Sequence, residues 1–209
     1  DLRKTFSQDG FCYSYSPVDN QQVFNASMKG ARLLAQVYSV TRDKTLYQEA
    51  AQAVRFVLKH QQSNGVWPYA FGDARSWSDG YHTGYVLDCL HAYRQFTEDN
   101  SVDEALHRGF LYYMENFFDR GGIPKYYDTN TFPIDATCAA QAILTLTRFG
   151  ELERAIAVSE WVMQQLFDKR GFVYYQKHRF YTHRTSYMRW SNAWMFCAWA
   201  YLLYRLQVV

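Results

Sequence analysis

Four times along the 209-residue chain, a glycine is followed by an apolar residue and then, within five positions, by one or more aromatic residues. The glycines lie 55, 57 and 49 residues apart, and each segment leads through a polar loop into a helical pattern. A regular period of this length predicts a repeat architecture, because each unit buries its apolar face only against its neighbours. The segments begin at Gly10, Gly65, Gly122 and Gly171.

Between these segments the hydrophobic periodicity is helical, and helices of two kinds alternate. The stretches VFNASMKGARLLAQVYSV and PIDATCAAQAILTLTRF are apolar on most faces, which is typical of an inner helix packed on two sides. TLYQEAAQAVRFVLKHQQ and ELERAIAVSEWVMQQLF each have one polar face, which is typical of an outer helix. Short turns lead from inner to outer helix and long loops lead back. Each repeated glycine is expected to cap the preceding outer helix in a left-handed conformation.

These patterns predict an all-α fold, an α/α toroid or incomplete α/α barrel of helical hairpins, in a single domain over residues 1–209. Tetratricopeptide or HEAT-like arrays are the alternative, but their repeats are shorter, about 34 to 47 residues. Strand patterns are nearly absent, and short ribbons are expected at most. Seven long helices are predicted, and the last, over residues 187–206, has no outer partner. The chain is therefore expected to be the C-terminal part of a longer toroid, or an open arc completed by another chain.

Composition argues against several classes of function. The net charge is only +2, which disfavours nucleic-acid binding. The most apolar run, residues 193–204, is too short to span a bilayer. The four cysteines form no CxxC pair, and His178 and His183 lack metal-ligand spacing, so neither a metal nor a cofactor is predicted. No signal peptide is visible, and a cytoplasmic location is expected.

The stretch FVLKHQQSNGVW resembles the QW motif of squalene and oxidosqualene cyclases, Gln-x(2–5)-Gly-x-Trp after an apolar outer helix. More broadly, the repeat resembles the α/α-toroid superfamily. That superfamily includes terpene cyclases, prenyltransferase β subunits, six-hairpin glycosidases and the C-terminal domain of glucuronyl C5-epimerase. The DxDD cluster of the cyclases, the Asp-x-Cys pair of the prenyltransferases and the Cys-His-Gly of lanthionine cyclases are all missing from this sequence. A terpenoid cyclase or prenyltransferase-like toroid is therefore the weaker alternative.

The carbohydrate-active members of that superfamily offer a closer match. The stretch SWSDGYHTGYVLD resembles the Trp-x-Asp segment before an inner helix in unsaturated glucuronyl and rhamnogalacturonyl hydrolases, where the Asp is the general acid/base. This resemblance implies that role for Asp79, with Trp77 as a sugar platform. A hairpin of glucuronyl C5-epimerase-like proteins is similar to NASMKGARLLAQVYSVTRDKTLYQEA.

Polar residues at the start of the inner helices are expected to converge on one mouth of the toroid. Asp79 and His82 lie three residues apart, so in a helical first turn they share a face and could act as acid and base. Asp79 and Asp135 could instead be the carboxylate pair of a glycosidase. Each Asp could equally be a helix N-cap. Corresponding positions are occupied by Asn25, Arg189 and Asn192, which are predicted to bind substrate.

Aromatic residues in the loops are predicted to stack on sugar rings, because saccharide recognition combines flat apolar faces with directional hydrogen bonds. From Gly171 to Val209 the sequence contains no Asp or Glu, whereas the loop YYQKHRFYTHRTSYMRW is rich in cations. Lys177, like Arg189, is therefore predicted to bind an anionic group such as uronate, sulfate or phosphate. The predicted aromatic contacts are Tyr69, Trp77, Tyr126, Tyr127 and Tyr174.

The sequence thus predicts a carbohydrate-active protein of polysaccharide metabolism, acting on an anionic, uronate-type saccharide by general acid/base chemistry as a hydrolase, lyase or epimerase. A tyrosine proton donor would favour a lyase or an epimerase, and two carboxylates would favour a hydrolase. The alternative is a non-catalytic saccharide-binding or assembly module. Such a module would keep the aromatic residues but tolerate the loss of Asp79 and His82.

Overall fold

The computed structural model describes residues 2–72 and 74–208, and within these residues it contains the seven α-helices that the sequence predicts. They follow one another as three pairs, each an inner and an outer helix, and a final inner helix. The pairs are α1 (Phe24–Thr41) with α2 (Lys44–Lys59), α3 (Gly80–Thr97) with α4 (Asp103–Asn116), and α5 (Ala136–Arg148) with α6 (Leu152–Gln165); the last helix is α7 (Trp194–Val208).

Short antiparallel ribbons occupy the loops, in greater number than the sequence suggested. β1 (Lys4–Ser7) pairs with β2 (Gly10–Tyr13), β3 (Gln22–Val23) with β4 (Ala70–Phe71), and β6 (Phe167–Asp168) with β7 (Phe172–Val173). A three-stranded ribbon has the order β5 (Ile134–Asp135), β8 (Gln176–Lys177), β9 (Thr182–His183). None of the helices in the described part of the chain is long and apolar enough to cross a membrane.

Contacts divide the described chain into two compact units. The first comprises the described residues up to Ser78 together with Tyr85–Tyr112, and in it α1 packs on α2 and both contact β2. The second comprises Asp79–Gly84 together with the described residues from Tyr113 onward, and in it α5 packs against α6 and α7. Eleven of the 13 residues of α5 are buried, as predicted for an inner helix. The single domain over residues 1–209 stays a prediction.

The first and last inner helices each have an exposed apolar stripe. On α1 the stripe consists of Leu33, Val37 and Val40, whose spacing places them on one helical face. On α7, Phe196 and Leu203 are exposed, seven residues apart. Contiguous exposed apolar surface of this kind is typical of a face that another element covers.

The prediction that the repeated glycines cap the outer helices is wrong. The helices α2, α4 and α6 end six residues before Gly65, Gly122 and Gly171, respectively. Each of these glycines instead closes a tight turn, in which its N–H donates to the carbonyl oxygen three residues earlier, at 2.9, 3.0 and 2.9 Å. All three have positive φ angles, 98°, 77° and 92°. The chain therefore leaves the outer helix, reverses at the glycine and returns its next apolar residues toward the core.

Gln61, the first residue of the QW-like stretch, connects the end of α2 to α4 within the first unit. Its Nε2 donates to the carbonyl oxygens of Gly65 and Ala105, both at 2.8 Å, and its Oε1 accepts from Nη2 of Arg108 at 2.7 Å. All three of these hydrogen-bonding partners lie within the first unit, so the amide fixes the turn against the neighbouring outer helix.

Trp67 is the apolar part of the same connection. It is buried, and its Nε1–H donates to the carbonyl oxygen of Val57 at 2.9 Å. Its ring lies so close to α4 that a Cβ atom at Gly109 would come within 2.5 Å of it. The QW-like stretch therefore has a structural role in this unit.

We expect Gly65→Ala to destabilise the protein more than Gly171→Ala. Both glycines have similar positive φ angles, but a Cβ at Gly65 would lie 2.5 Å from the carbonyl oxygen of Arg108, whereas at Gly171 it would meet nothing within 4 Å. Backbone strain should lower the free energy of unfolding by roughly 1–2 kcal/mol in both variants. The clash should remove a further 1–3 kcal/mol, roughly, in Gly65→Ala alone. Equal losses in urea unfolding would contradict the close approach.

We also expect Gln61→Ala to lower the free energy of unfolding by about 1–3 kcal/mol, because it leaves two partly buried carbonyl oxygens without their donor. Gln62→Ala is the matched control, since Gln62 is exposed, and its effect should stay within about 0.5 kcal/mol. Thermal and urea unfolding measure both variants. Indistinguishable stabilities would show that Gln61 does not join α2 to α4.

Candidate active site

Asp79 and His82 form a close pair in the first turn of α3, on the shared face that their spacing predicted. Asp79 is 1% exposed, and its Oδ1 accepts from the backbone N–H of His82 at 2.8 Å. Nδ1 of His82 lies 2.9 Å from Oδ1 and 2.8 Å from Oδ2 of the same carboxylate. A ring nitrogen that faces a carboxylate carries the proton, so Nε2 is the basic nitrogen of the neutral imidazole. The His82 side chain is 22% exposed, so part of the ring is accessible to solvent.

The loop with Tyr126 and Tyr127 lies directly against this helix start. The N–H of Gly80 donates to the carbonyl oxygen of Tyr126 at 2.8 Å, and Asp79 forms an antiparallel bridge with Tyr127. A Cβ at Gly80 would lie 2.8 Å from the carbonyl oxygen of Lys125, so only glycine allows the loop to approach this closely. Two of the predicted sugar-contacting tyrosines are therefore adjacent to the Asp79–His82 pair.

Two phenols near the pair are protonated at neutral pH. Burial raises the pKa of Tyr81 to about 12, with the charges of Asp135 and Asp79 adding to the shift and that of Arg189 opposing it. Burial also raises the pKa of Tyr126 far above its usual range, and the charges of Asp79 and Asp135 add to that shift. Both carboxylates thus lie near both phenols. Each phenol can donate a hydrogen bond or a proton.

Asp135 is the N-cap of α5. Its Oδ1 accepts from the backbone N–H groups of Thr137 at 2.8 Å and Cys138 at 3.3 Å, and its Oδ2 accepts from Nε2 of Gln176 at 3.0 Å. Burial raises the pKa of this carboxyl above its usual range, although these hydrogen bonds act in the opposite direction. Both carboxylate oxygens of Asp135 accept hydrogen bonds from within the protein, and the geometry is that of a helix N-cap. A catalytic role for it stays a prediction.

Arg189 lies in a π-helical segment, Met188–Ala193, that leads directly into α7. The hydroxyl of Thr137 donates to the carbonyl oxygen of Trp190 at 2.5 Å and thereby fixes this segment beside the start of α5. Short π-helical segments occur frequently at functional sites, because the wider turn redirects side chains. Arg189 and Trp190 are both exposed in the second unit, and the Arg189 charge reaches Tyr81.

The remaining predicted residues of the second unit have partners within the protein. Asn192 accepts from the backbone N–H of Val173 at 2.8 Å and donates to the carbonyl oxygen of Tyr187 at 3.0 Å. The hydroxyl of Tyr174 donates to Asp168. Lys177 lies in β8, opposite Ile134 of β5. The amide of Asn192 thus connects the π-helical segment to β7, and a substrate contact by it is untested.

Asn25, Tyr69 and Trp77 belong to the first unit. The rings of Tyr69 and Trp77 are stacked, with centroids 5.3 Å apart and planes 9° apart, and Trp77 is 42% exposed. Asn25 is buried at the start of α1, and none of the described residues donates a hydrogen bond to its Oδ1. An open groove in this unit, lined by residues such as Asp9, Arg55 and Lys59, contains none of the predicted site residues.

Sequence reasoning placed Tyr175 among the repeated loop aromatics but not among the predicted site residues, and it missed other residues near Asp135. Gln176 binds its carboxylate, and Tyr175 has its pKa raised by burial and by the Asp135 charge. The ring of Tyr175 makes an edge contact with Tyr187 at 5.0 Å. Tyr81, which lies between Gly80 and His82, was also missed. The repeat pointed to Tyr175 and Tyr81, since both lie in segments that belong to it. Gln176 is found only through the pairing of β5 with β8.

No protein-family model matches the chain, and no curated protein matches it in sequence. Solved structures are similar to it in fold. A GH76 α-mannanase of Bacteroides thetaiotaomicron matches 99% of this chain with a TM-score of 0.76 at 14% identity. A cellobiose 2-epimerase from Bacillus thermoamylovorans matches 95% with a TM-score of 0.72 at 12% identity. The fold is therefore of the α/α-toroid type.

Other similar structures include a family 105 glycoside hydrolase of C. acetobutylicum, with a TM-score of 0.71 over 100% of this chain at 10% identity. The chain spans 62% of the length of the mannanase, 64% of the epimerase and 71% of the family 105 hydrolase. The predicted likeness to six-hairpin glycosidases is therefore confirmed at the level of fold. Similar structures also include a polysaccharide lyase and a D-mannose isomerase. Among the described residues, no three His, Cys, Asp or Glu side chains are grouped as metal ligands would be.

We expect Asp135→Asn to remove a pH dependence of stability. The pKa of Asp135 is raised in the folded state, so the folded protein binds the proton more tightly than the unfolded chain does. The free energy of unfolding of the wild type should therefore fall as pH rises from the usual Asp pKa of about 3.9 through the raised value. It should stay lower above that value. In Asp135→Asn this fall should be absent.

Asp43→Asn is the matched control, because Asp43 is also a helix N-cap but is exposed and has a pKa that Thr45 lowers. Its contribution has the opposite sign: it stabilises the folded state above its usual pKa and is lost as pH falls. Urea unfolding at a series of pH values measures both. A parallel pH dependence in the wild type and Asp135→Asn would show that burial does not dominate at Asp135.

Proposed function

We propose that this chain is part of a carbohydrate-active enzyme in which the Asp79–His82 pair moves a proton on a saccharide. The observation that supports this most directly is the buried carboxylate of Asp79, placed 2.8 and 2.9 Å from Nδ1 of the partly exposed His82. An imidazole oriented in this way by a carboxylate has the geometry of a general base. The fold gives further support, because similar solved structures include hydrolases, an epimerase and a polysaccharide lyase.

The use of the two carboxylates favours epimerase or lyase chemistry over hydrolysis. A glycosidase needs two carboxyl groups directed at the scissile bond. Here both oxygens of Asp79 face His82, and those of Asp135 accept from the start of α5 and from Gln176. Imidazole is then the base, and the protonated phenols of Tyr81 and Tyr126 are the acids.

This set suits the removal of a proton from a carbon next to a carbonyl or carboxylate group. Nε2 of His82 takes the C–H proton, and the electron pair moves into the carbonyl or carboxylate as an enolate. A phenol of Tyr81 or Tyr126 then returns a proton to the carbon, which gives epimerisation. In elimination the enolate electron pair instead forms a carbon–carbon double bond, the bond from the next carbon to its oxygen breaks, and the phenol protonates that oxygen. Both outcomes balance without a redox partner.

An anionic, uronate-type saccharide is the proposed substrate. Lys177 and Arg189 supply positive charge in the unit that contains the pair, and neither forms an ion pair with another described residue. A cation on the carboxylate of a uronate would stabilise the enolate that forms when the neighbouring C–H proton is removed. Tyr127 and Trp190, both exposed, offer rings for stacking.

The second candidate is a saccharide-binding module without catalysis. The exposed ring of Trp77, stacked on the half-buried Tyr69, supports it, because an exposed aromatic face can bind a sugar ring without any proton transfer. In both cases the exposed stripes on α1 and α7 fit a toroid completed by further hairpins or another chain, with residues 1–209 forming one domain of it. Asn25, Tyr174, Asn192 and a cytoplasmic location remain predictions.

Proton exchange in the full-length protein tests the proposal. The wild type is incubated with uronate oligosaccharides in D2O, and NMR follows deuterium at the carbon next to the carboxylate. We expect His82→Asn to lower the exchange rate by about 10²- to 10⁴-fold, the usual contribution of a general base. His107→Asn, an exposed histidine of α4, is the matched control and should leave the rate unchanged.

Each other outcome identifies a different function. Release of reducing ends with neither deuterium at carbon nor a new carbon–carbon double bond, lost in Asp79→Asn, would identify a hydrolase and contradict proton abstraction. Oligosaccharide binding without turnover by the wild type, with equal affinity in His82→Asn, would identify the binding module.

A further inference from the structure

The β8–β9 ribbon ends in a turn with an unusual composition. Its register pairs Lys177 with Thr182, and the N–H of His178 donates to the carbonyl oxygen of Tyr181 at 2.8 Å. The central turn residues are thus Arg179 and Phe180. Two-residue turns of hairpins strongly prefer Gly, Asn or Asp, because these residues adopt positive φ angles. Neither residue here is among the positive-φ residues of the described chain, so the turn is not selected for its fit to the ribbon.

Aromatic rings are exposed at this turn. Phe180 is 89% and Tyr181 is 60% exposed. The rings of His178 and Tyr181 are stacked across the turn, with centroids 4.3 Å apart and planes 8° apart, and the guanidinium of Arg179 lies 5.3 Å from the centre of the Phe180 ring. Packing does not explain these side chains, because burying Phe180 would stabilise the fold whereas exposing it does not. Local conflicts of this kind are typical of functional positions.

The charged residues of the chain segment that forms the turn are all positive. Residues 171–209 contain no Asp or Glu, and Lys177, Arg179 and Arg184 surround the turn in sequence. Among the described residues, none of these three forms an ion pair. Cations interspersed with flat rings are complementary to a ligand that has anionic groups and apolar faces, which is the chemistry of an acidic polysaccharide.

The same ribbon is connected to the candidate active site. β8 pairs with β5, which places Gln176 opposite Asp135, and Gln176 binds the Asp135 carboxylate. A strand rises about 3.3 Å per residue, so the tip at Phe180 lies roughly 10 Å beyond Gln176. A side chain at that distance cannot contact the sugar residue beside Asp135. It can contact a sugar further along the same polymer.

We propose that His178, Arg179, Phe180 and Tyr181 form a secondary binding site for an anionic polysaccharide, here called the tip site. It rests on the proposed function and extends it, because it makes a polymer the natural ligand. Arg179 binds the acidic groups and the exposed rings of Phe180 and Tyr181 stack on sugar faces. The polymer is thereby retained next to the site that contains Asp135.

The test measures binding without turnover, in the full-length protein with and without His82→Asn. Affinity electrophoresis in gels with polygalacturonate, dextran sulfate or neutral dextran gives the polymer affinity, and calorimetry with galacturonate oligomers of increasing length gives its length dependence. We expect affinity for an acidic polymer, none for neutral dextran, and a rise in affinity with oligomer length. Tighter binding to polygalacturonate or to dextran sulfate assigns the recognised group as carboxylate or sulfate.

The double variant Phe180→Ser/Tyr181→Ser should lower the affinity for the acidic polymer by about tenfold, the size expected from lost aromatic contacts. It should also abolish the length dependence. Arg179→Gln should reduce the affinity and its sensitivity to salt. The matched controls are Tyr15→Ser, an exposed aromatic residue of the first unit, and Arg120→Gln, an exposed cation outside the ribbon. Circular dichroism and urea midpoints confirm that each variant is folded.

Unchanged polymer affinity in the folded double variant would overturn the tip site. So would binding of the wild type to vesicles of anionic phospholipid, but to no acidic polysaccharide, since the tip would then be a membrane contact. Because these measurements need no turnover, failure of the tip site and failure of proton transfer by His82 are separate outcomes.

Discussion

Six residues past the end of each outer helix, a glycine with a positive φ angle reverses the chain. This turn determines where the following residues go. At Gly65 it sends Trp67 into the core against Gly109 and lets Gln61 join α2 to α4. At Gly171 the same turn precedes β7 and then β8, from which the ribbon with the tip site extends. The repeat is thus a repeat of turns as much as of helices, because the turn fixes both the packing of the outer helices and the path of the long loops.

At the starts of α3 and α5, a carboxylate is subject to two opposing effects: it caps the helix, and it is buried. An N-cap needs an oxygen near the free N–H groups of the first turn, and Asp79 and Asp135 both provide it. Burial opposes the negative charge, and for Asp135 burial outweighs its hydrogen bonds. Asp79 has in addition the imidazole of His82 beside it. The difference between the two caps is therefore the partner of the second oxygen, which is His82 in one case and Gln176 in the other.

Much of the fold could be predicted from the sequence. The period of the glycines, the two kinds of amphipathic pattern and the seven helices all depend on local residue spacing, and all appear in the structure. The glycine cap was predicted wrongly, because spacing alone does not distinguish a glycine at a helix end from one at a turn six residues later. In the candidate site, the Asp79–His82 contact was predictable, since both residues lie in one helical turn. Gln176 and Tyr81 were not identified.

The sequence by itself determined the repeat, the alternation of helices and the pairing of Asp79 with His82, because each depends on residues close together in the chain. Only the tertiary structure decided which polar side chains already form hydrogen bonds within the protein. The partners of Asn192 and Asp135 lie 19 and 41 residues away, across ribbons of two residues per strand that leave almost no pattern in sequence. Burial, which raises the pKa of Tyr81 and of Tyr126, likewise depends on the packing of distant segments. Local spacing in the sequence therefore determined the helices and turns. Contacts between distant segments determined the hydrogen bonds and burial of the site residues.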